Sequence, residues 1–315
     1  MSKNEQLDPY VLLQNTNNEL TSLLTRYANS PIELAKTKRE IHKNKVKMYD
    51  LILQEDKVRV GSNARDFLAN VKAMPKMVKH GTGIEALDYQ LDGGFATGIF
   101  IQLAGESGVG KTTLLLDIIC NCSEGYKSAF FNFEMGDRLL ANKLNKKKLS
   151  EKQLTNLWIN SDTRNLDDLV MEIELLNKDG YKFFVIDSKM KIEVSGNEPT
   201  HEKISRLSNT LSKLTQQRDI IIMLINQISE EDLKGKRLSM KGSGDQKYDA
   251  DIALFYVKDK DNKRKLICSK NRQDEKTFEI ELIIGNDGVT RGVGDSEIPI
   301  IREYQSDNSF LNGVI

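Results

Sequence analysis

Gly105–Thr113 reads GESGVGKTT and lies between two apolar runs, IFIQLA before it and LLLDII after it. It matches G-x-x-x-x-G-K-[ST], a loop that holds nucleoside triphosphates. Glycines at 105, 108 and 110 let backbone N–H groups turn onto phosphate oxygens, at the positive end of the helix that follows. Lys111 is placed to neutralise the β and γ phosphates, and Thr112 to hold Mg²⁺. A strand before the loop and a helix after it complete the required context. Gly105, Glu106, Ser107, Gly108, Val109, Gly110, Lys111, Thr112 and Thr113 are therefore expected to bind ATP with Mg²⁺.

Working outward from the loop, strands alternate with helices. Strands are expected near Phe100–Ala104, Ser128–Phe133, Leu157–Asn160, Phe183–Asp187, Ile220–Ile225, Ile252–Val257, Lys265–Ser269 and Phe278–Ile284. Helices are expected near Gly110–Asn121, Asp137–Lys146, Asn165–Asn177 and His201–Gln216. This alternation predicts an α/β fold, a mostly parallel sheet covered on both faces with ligands at the carboxyl ends of its strands. The last three strands lack intervening helices and predict an antiparallel extension.

Three of these strands end in residues that suit hydrolysis. KFFVIDS (Lys182–Ser188) is an apolar run ending in Asp187, which is expected on the strand beside the P-loop, holding the Mg²⁺ water shell. FFNFEM (Phe130–Met135) delivers Glu134 to the same sheet edge as a general base for water. Kinases of small molecules do not need that glutamate, because their acceptor is not water, so Glu134 argues for an ATPase. IIIMLINQIS (Ile220–Ser229) ends in amides, and Gln227 is placed to sense the γ-phosphate and report to the loop that follows. That loop carries Lys234, Lys236, Arg237 and Lys241 and no stacking aromatics, a composition suited to gripping the backbone of single-stranded DNA.

Composition sets the outer limits. The 315 residues allow one sizeable α/β domain with an appendage. Forty-six basic residues balance 46 acidic ones, so any nucleic-acid contact must come from a local patch. There is no apolar run near the roughly 20 residues of a membrane span, and MSKNEQLDPY lacks a signal-peptide layout. A cytoplasmic location without membrane contact is expected. The three cysteines suit a reducing compartment, and Cys120 and Cys122 point to different faces of one helix, as packing residues do. His42, His80 and His201 are scattered and suggest no metal site.

Residues 1–80 read as helices expected to serve oligomerisation or docking. SPIE (Ser30–Glu33) is a capping box with proline at the first helical position. Leu34, Ile41 and Met48 then recur every seven residues, flanked by Lys36, Lys38, Arg39, Lys43, Lys45 and Lys47. Such a narrow seam fits either a helix lying on its own core or one docking on a neighbouring subunit. The ATPase domain is expected over 81–285, with a weakly ordered tail over 286–315.

With these segments in order, the chain resembles the RecA-like ATPases, and within them the bacterial replicative helicases of the DnaB type, over about Thr82–Ile284. TGIEALDYQLDGGFATG (Thr82–Gly98) is similar to the family's lead-in to the P-loop. FNFEMGDRLLANKL is similar to its strand and helix with the catalytic glutamate, and GSGDQKYDADIALFY to its second DNA loop and next strand. KNR (Lys270–Arg272) falls where the family places a lysine and an arginine that reach into the neighbouring subunit's ATP. AGESGVGKT and LINQI read more like the RecA and RadA recombination branches, and residues 1–80 are expected to be too few and too polar to form the family's globular N-terminal domain. The resemblance implies a hexameric ring that translocates on single-stranded DNA as a minimal replicative helicase with loader, primase or polymerase as partners. A RadA-like or RecA-like recombination ATPase, and a KaiC-like ATPase that switches protein interactions, are the alternatives.

Overall fold

The structure, a computed structural model, describes residues 8–55, 61–73, 78–228 and 249–295. Its centre is the strand that precedes the P-loop, β3 (Phe100–Gly105), buried along its whole length. An apolar run without alternation needs cover on both faces, which a parallel sheet flanked by helices provides. The other strands of the sheet are β4 (Ser128–Asn132), β5 (Leu157–Asn160), β6 (Phe183–Asp187), β7 (Ile221–Gln227), β8 (Ile252–Lys258), β9 (Arg264–Asn271), β10 (Phe278–Ile284) and β11 (Thr290–Gly292). They lie in the order β11-β10-β9-β8-β3-β7-β6-β4-β5. From β8 across to β5 the neighbours pair in parallel, and β9, β10 and β11 extend the sheet antiparallel. A separate pair, β1 (Lys79–His80) with β2 (Phe95–Ala96), frames the lead-in to the P-loop.

One face of the sheet is covered by α4 (Glu85–Gln90) and α5 (Lys111–Gly125), whose Leu87, Leu114, Leu115 and Ile118 share a core with Ile101, Leu103 and Val185. The other face is covered by α8 (Leu166–Lys178) and α9 (Thr200–Arg218), whose Ile173, Leu207 and Leu211 pack with Phe100, Phe184 and Leu224. Helices α6 (Asp137–Lys146) and α7 (Glu151–Asn156) fill the crossover between β4 and β5. The expected α/β class, with its parallel sheet and antiparallel extension, is what the structure holds.

Two expectations are corrected. Asp187 does not lie on the strand beside the P-loop, because β7 is inserted between β3 and β6. The first stretch beyond Gly285 is also anchored: β11 pairs with β10, the Thr290 amide donates to the buried carboxylate of Asp117, and the Ala86 amide donates to Asp295. Residues 296–315 lie outside the described residues.

The N-terminal region forms a hairpin of α1 (Pro9–Arg26) and α2 (Pro31–Glu55), followed by α3 (Ala64–Ala73). Met48 and Ile52 of α2 pack with Tyr10 of α1 and with Met171 and Leu175 of α8, so the lower half of the seam lies on the chain's own core. The fully buried positions on α2 are Thr37, Asn44, Met48 and Ile52, and Leu34 and Ile41 are half-buried.

Candidate active site

The P-loop cradle is shaped by glycines where a side chain would collide. A Cβ on Gly105 would lie 2.7 Å from the Tyr256 carbonyl, and one on Gly110 would lie 2.8 Å from Ile284 Cδ1. Gly108 and Gly110 also hold φ of +74° and +106°, the left-handed region that favours glycine. Gly110 is the N-cap of α5, so the free amides of its first turn face the loop. Val109 is fully buried, and its carbonyl accepts from Arg264 Nε at 2.9 Å, which ties the loop to β9. Glu106, Ser107 and Gly108 remain accessible at the rim, and Thr113 is the third residue of α5.

Lys111 folds back over the loop, donating to the carbonyls of Gly105 at 2.8 Å and Glu106 at 2.7 Å. Burial lowers its pKa, while Glu134 and Asp187 oppose that shift. These carbonyls hold the ammonium over the cradle, where phosphate oxygens can replace them.

Asp187 ends β6 and is only 3% exposed. Its Oδ2 accepts from the Thr112 hydroxyl at 3.5 Å. Burial first, and then the charge of Glu134, push its pKa up to about 6. A buried carboxylate beside a hydroxyl, with a second carboxyl nearby, is an oxygen donor set that a hard divalent cation fits. Glu134 itself is exposed, just beyond β4. Its turn is fixed by Asn132, whose Nδ2 donates to the Met135 carbonyl and whose Oδ1 accepts from the Met135 amide. The Phe133 amide donates to the Asp187 carbonyl at 2.6 Å, which locks the two strand ends together.

Gln227 ends β7, and its Cα partner across the ladder is Gly105 of the P-loop. Asn226 is fully buried, and its Oδ1 accepts from the Gln227 amide at 2.9 Å. Lys111, Thr112, Glu134, Asp187 and Gln227 thus converge at one end of the sheet.

Lys270 and Arg272 do not join them. Strand β9 runs antiparallel to β8, so Lys270 pairs with Ala253 and Asn271 with Ile252, next to Ile101 at the start of β3. Both basic residues therefore stand at the end of the sheet opposite their own P-loop. Sequence reasoning missed Asp251, which holds Arg272 there: its Oδ1 accepts from Arg272 Nη1 at 3.2 Å, and its Oδ2 accepts from the Phe100 amide at 3.0 Å. The only signal available was an acid inside an apolar stretch, DADIALFY (Asp249–Tyr256). Lys234, Lys236, Arg237 and Lys241, the expected DNA contacts, lie outside the described residues.

Comparisons with known proteins agree with this geometry. Residues 80–175 match the family described as DnaB-like helicase C terminal domain. The chain is 29% identical over 153 residues to the DNA repair protein RadA of Aquifex aeolicus (strain VF5), covering 48% of this chain and 33% of that protein. It is 25% identical over 214 residues to the DNA repair and recombination protein RadB of Methanococcoides burtonii, covering 64% and 93%. The match thus spans only a third of that RadA, which carries much chain beyond the shared part. Among solved structures, one isolated ATPase domain superposes with a TM-score of 0.61 at 18% identity, over 75% of this chain and all of that one. A DnaB-like replicative helicase, solved with attention to its interactions with primase, superposes with a TM-score of 0.59 at 16% identity, over 87% of each chain. The chain shares the fold of these ATPase domains, and its residues 80–175 are similar to the DnaB-like helicase C-terminal domain.

Proposed function

We propose that this chain is an ATP-hydrolysing translocase that assembles into a ring, most simply a hexamer, and moves on single-stranded DNA as a minimal DnaB-type helicase in cytoplasmic replication. The observation that carries the reading is the placement of Lys111 and Arg272 at opposite ends of one sheet. In a head-to-tail assembly, the Lys270–Arg272 end of one subunit meets the P-loop end of the next, and each active site is completed by two chains. The match to a helicase family supports the motor role, and the likeness to a helicase studied with primase supports a primase, loader or polymerase as partner.

Within such a site the P-loop amides and Lys111 hold the triphosphate, and Gln227 couples its γ end to the loop that follows β7. Thr112 and Asp187 would hold Mg²⁺, which would neutralise phosphate charge when bound. Glu134 takes a proton from the attacking water. A guanidinium from the neighbour stabilises charge on the transferring group, an effect worth roughly 10³ or more in related phosphoryl-transfer sites.

The RadA and RadB similarity favours a second reading, an ATPase that remodels recombination intermediates. Unwinding of a forked duplex in the presence of ATP separates the two: a helicase opens the fork, and a recombination ATPase binds it without opening it. Replacing Lys234, Lys236, Arg237 and Lys241 together should leave ATP binding intact. It should also flatten the salt dependence of single-strand binding by up to about 0.7 in slope per lost contact. An unchanged slope would remove this loop from the DNA site.

A further inference from the structure

The turn that carries Arg272 is anchored far more firmly than an exposed turn requires. Arg272 has a side chain that is 58% exposed, and its amide donates to the Asp251 carbonyl at 2.9 Å. The next residue, Gln273, points inward. Its Oε1 accepts from the Ala96 amide at 2.9 Å, and its Nε2 donates to the carbonyls of Leu91 at 3.1 Å and Gly94 at 3.0 Å. Asn271 Oδ1 accepts from the amides of Gln273 and Asp274, so the turn is also braced from within. Lys79 adds a cross-link, donating to the Leu91 carbonyl at 3.0 Å and to Asp274 Oδ1 at 3.2 Å.

The surface that Gln273 grips is closely packed: Gly94 holds φ of +120°, and a Cβ there would lie 2.1 Å from the His80 carbonyl, so only glycine fits. The single carboxamide therefore fixes the backbone of the Arg272 turn to the lead-in of the P-loop domain. A long arginine side chain is useful to a reacting phosphate only when its backbone is held to within about 0.5 Å.

We infer that Gln273 is a positioning residue that aims the Lys270–Arg272 turn at the nucleotide of the adjacent subunit. This rests on the two-chain active site proposed above. Gln273 hydrogen-bonds backbone groups of the lead-in, and its own P-loop lies at the far end of the sheet. Its loss should therefore damage the neighbour's turnover and spare nucleotide binding.

The test uses full-length protein and two variants. Gln273→Met removes the hydrogen bonds at similar size. Gln273→Glu keeps the shape and the acceptor for Ala96, and sets a carboxylate against the Leu91 and Gly94 carbonyls. Both should bind a fluorescent ATP analogue like the parent, with DNA-stimulated turnover lowered on the order of 10- to 100-fold, as expected for a misplaced group. Mixed with Lys111→Ala chains, which supply an intact turn, either variant should regain part of its turnover. Mixed with Arg272→Ala chains, whose lesion is on the same side of the interface, neither should.

Parental turnover in both variants, or equal recovery with either partner, would overturn the inference. Loss of nucleotide binding in both would assign Gln273 to the fold alone. The pair Arg272→Ala with Lys111→Ala serves as the control. If that pair regains activity and the Gln273 variants do not, the inference fails and the two-chain reading stands. If the control stays inactive although mixed assemblies form, both fall.

Discussion

The Thr112 hydroxyl, in the first turn of α5, stands 3.5 Å from Asp187 Oδ2, although β6, which delivers Asp187, is separated by β7 from β3, the strand that leads into the P-loop. Their approach fits a shared cation, and it makes cation binding sensitive to pH. Because the Asp187 pKa is raised to about 6, protons compete for the carboxylate well above the usual range. Mg²⁺-dependent nucleotide binding should be strong near pH 7 and weaken as pH falls through about 6, approaching tenfold per pH unit below that value. Asp187→Asn should bind Mg²⁺ weakly at every pH. Magnesium titrations of the nucleotide complex on either side of pH 6 check this, and an affinity independent of pH would place the cation elsewhere.

In the proposed site Lys111 and Glu134 serve one nucleotide, and their variants should fail differently. Lys111→Ala leaves phosphate charge uncompensated and should weaken ATP binding at least about tenfold, in line with a lost charge-assisted hydrogen bond. Glu134→Gln keeps the exposed turn braced by Asn132 and should bind ATP normally. Its turnover should fall by about 10² to 10⁴, the range for a lost general base. Equilibrium binding and single-turnover hydrolysis, measured on both variants, separate the two roles.

Much of this was readable in the chain because buried parallel strands announce themselves as unbroken apolar runs. Phe183–Ile186 and Ile221–Ile225 are such runs; the first leads directly into Asp187, and the second, past the buried Asn226, into Gln227. Strand order was not readable, since nothing in KFFVIDS records that β7 lies between it and the P-loop. Asp251 and Gln273 were missed for a related reason: their partners, Phe100 and Leu91–Ala96, are distant in sequence, whereas a residue pattern reports local geometry. The seven-residue seam of α2 misled in its details. Thr37 can be buried because its hydroxyl donates to the Glu33 carbonyl, and Met48 is covered by Met171 and Leu175 of a helix far along the chain.

The hairpin of α1 and α2 is held to α8 by a charge pair as well as by apolar contact. Glu172 is 4% exposed and accepts from Lys45 Nζ, which is partly open to solvent. Removing one partner of a buried pair leaves a desolvated charge behind, a larger loss than the pair's net contribution. Lys45→Met should therefore destabilise the protein by about 2 kcal/mol, below the fully buried range because Lys45 keeps some solvent. Lys45→Met with Glu172→Gln should recover most of that. Denaturant midpoints of the single and double variants provide the check, and additive losses would show that the two side chains act independently.

Acid stability should expose two opposed titrating groups near the P-loop lead-in, the buried His80 and the half-buried Asp88. His80 is 2% exposed, stacks on Tyr126 at 3.9 Å between ring centroids, and has no hydrogen-bond partner for Nδ1 among the described residues. Burial, and then the charge of Lys182, lower its pKa to about 4. Between pH 6.5 and 4 the unfolded histidine binds a proton that the folded one refuses, so its contribution is present above 6.5 and lost as pH falls toward 4. Asp88 runs the other way. Burial raises its pKa to about 6, so its contribution is present below about 3.8 and lost as pH rises to about 6. The two nearly cancel in the parent, whose stability should change little across this window on their account. His80→Phe keeps the stacked ring and removes the titration. Relative to the parent, it should gain on the order of 3 kcal/mol between pH 7 and pH 4, the energy of a shift of about 2.5 pKa units. Urea denaturation of both proteins across that range measures the difference directly, and a difference that stays constant with pH would mean that His80 takes up its proton in the fold as readily as in the unfolded chain.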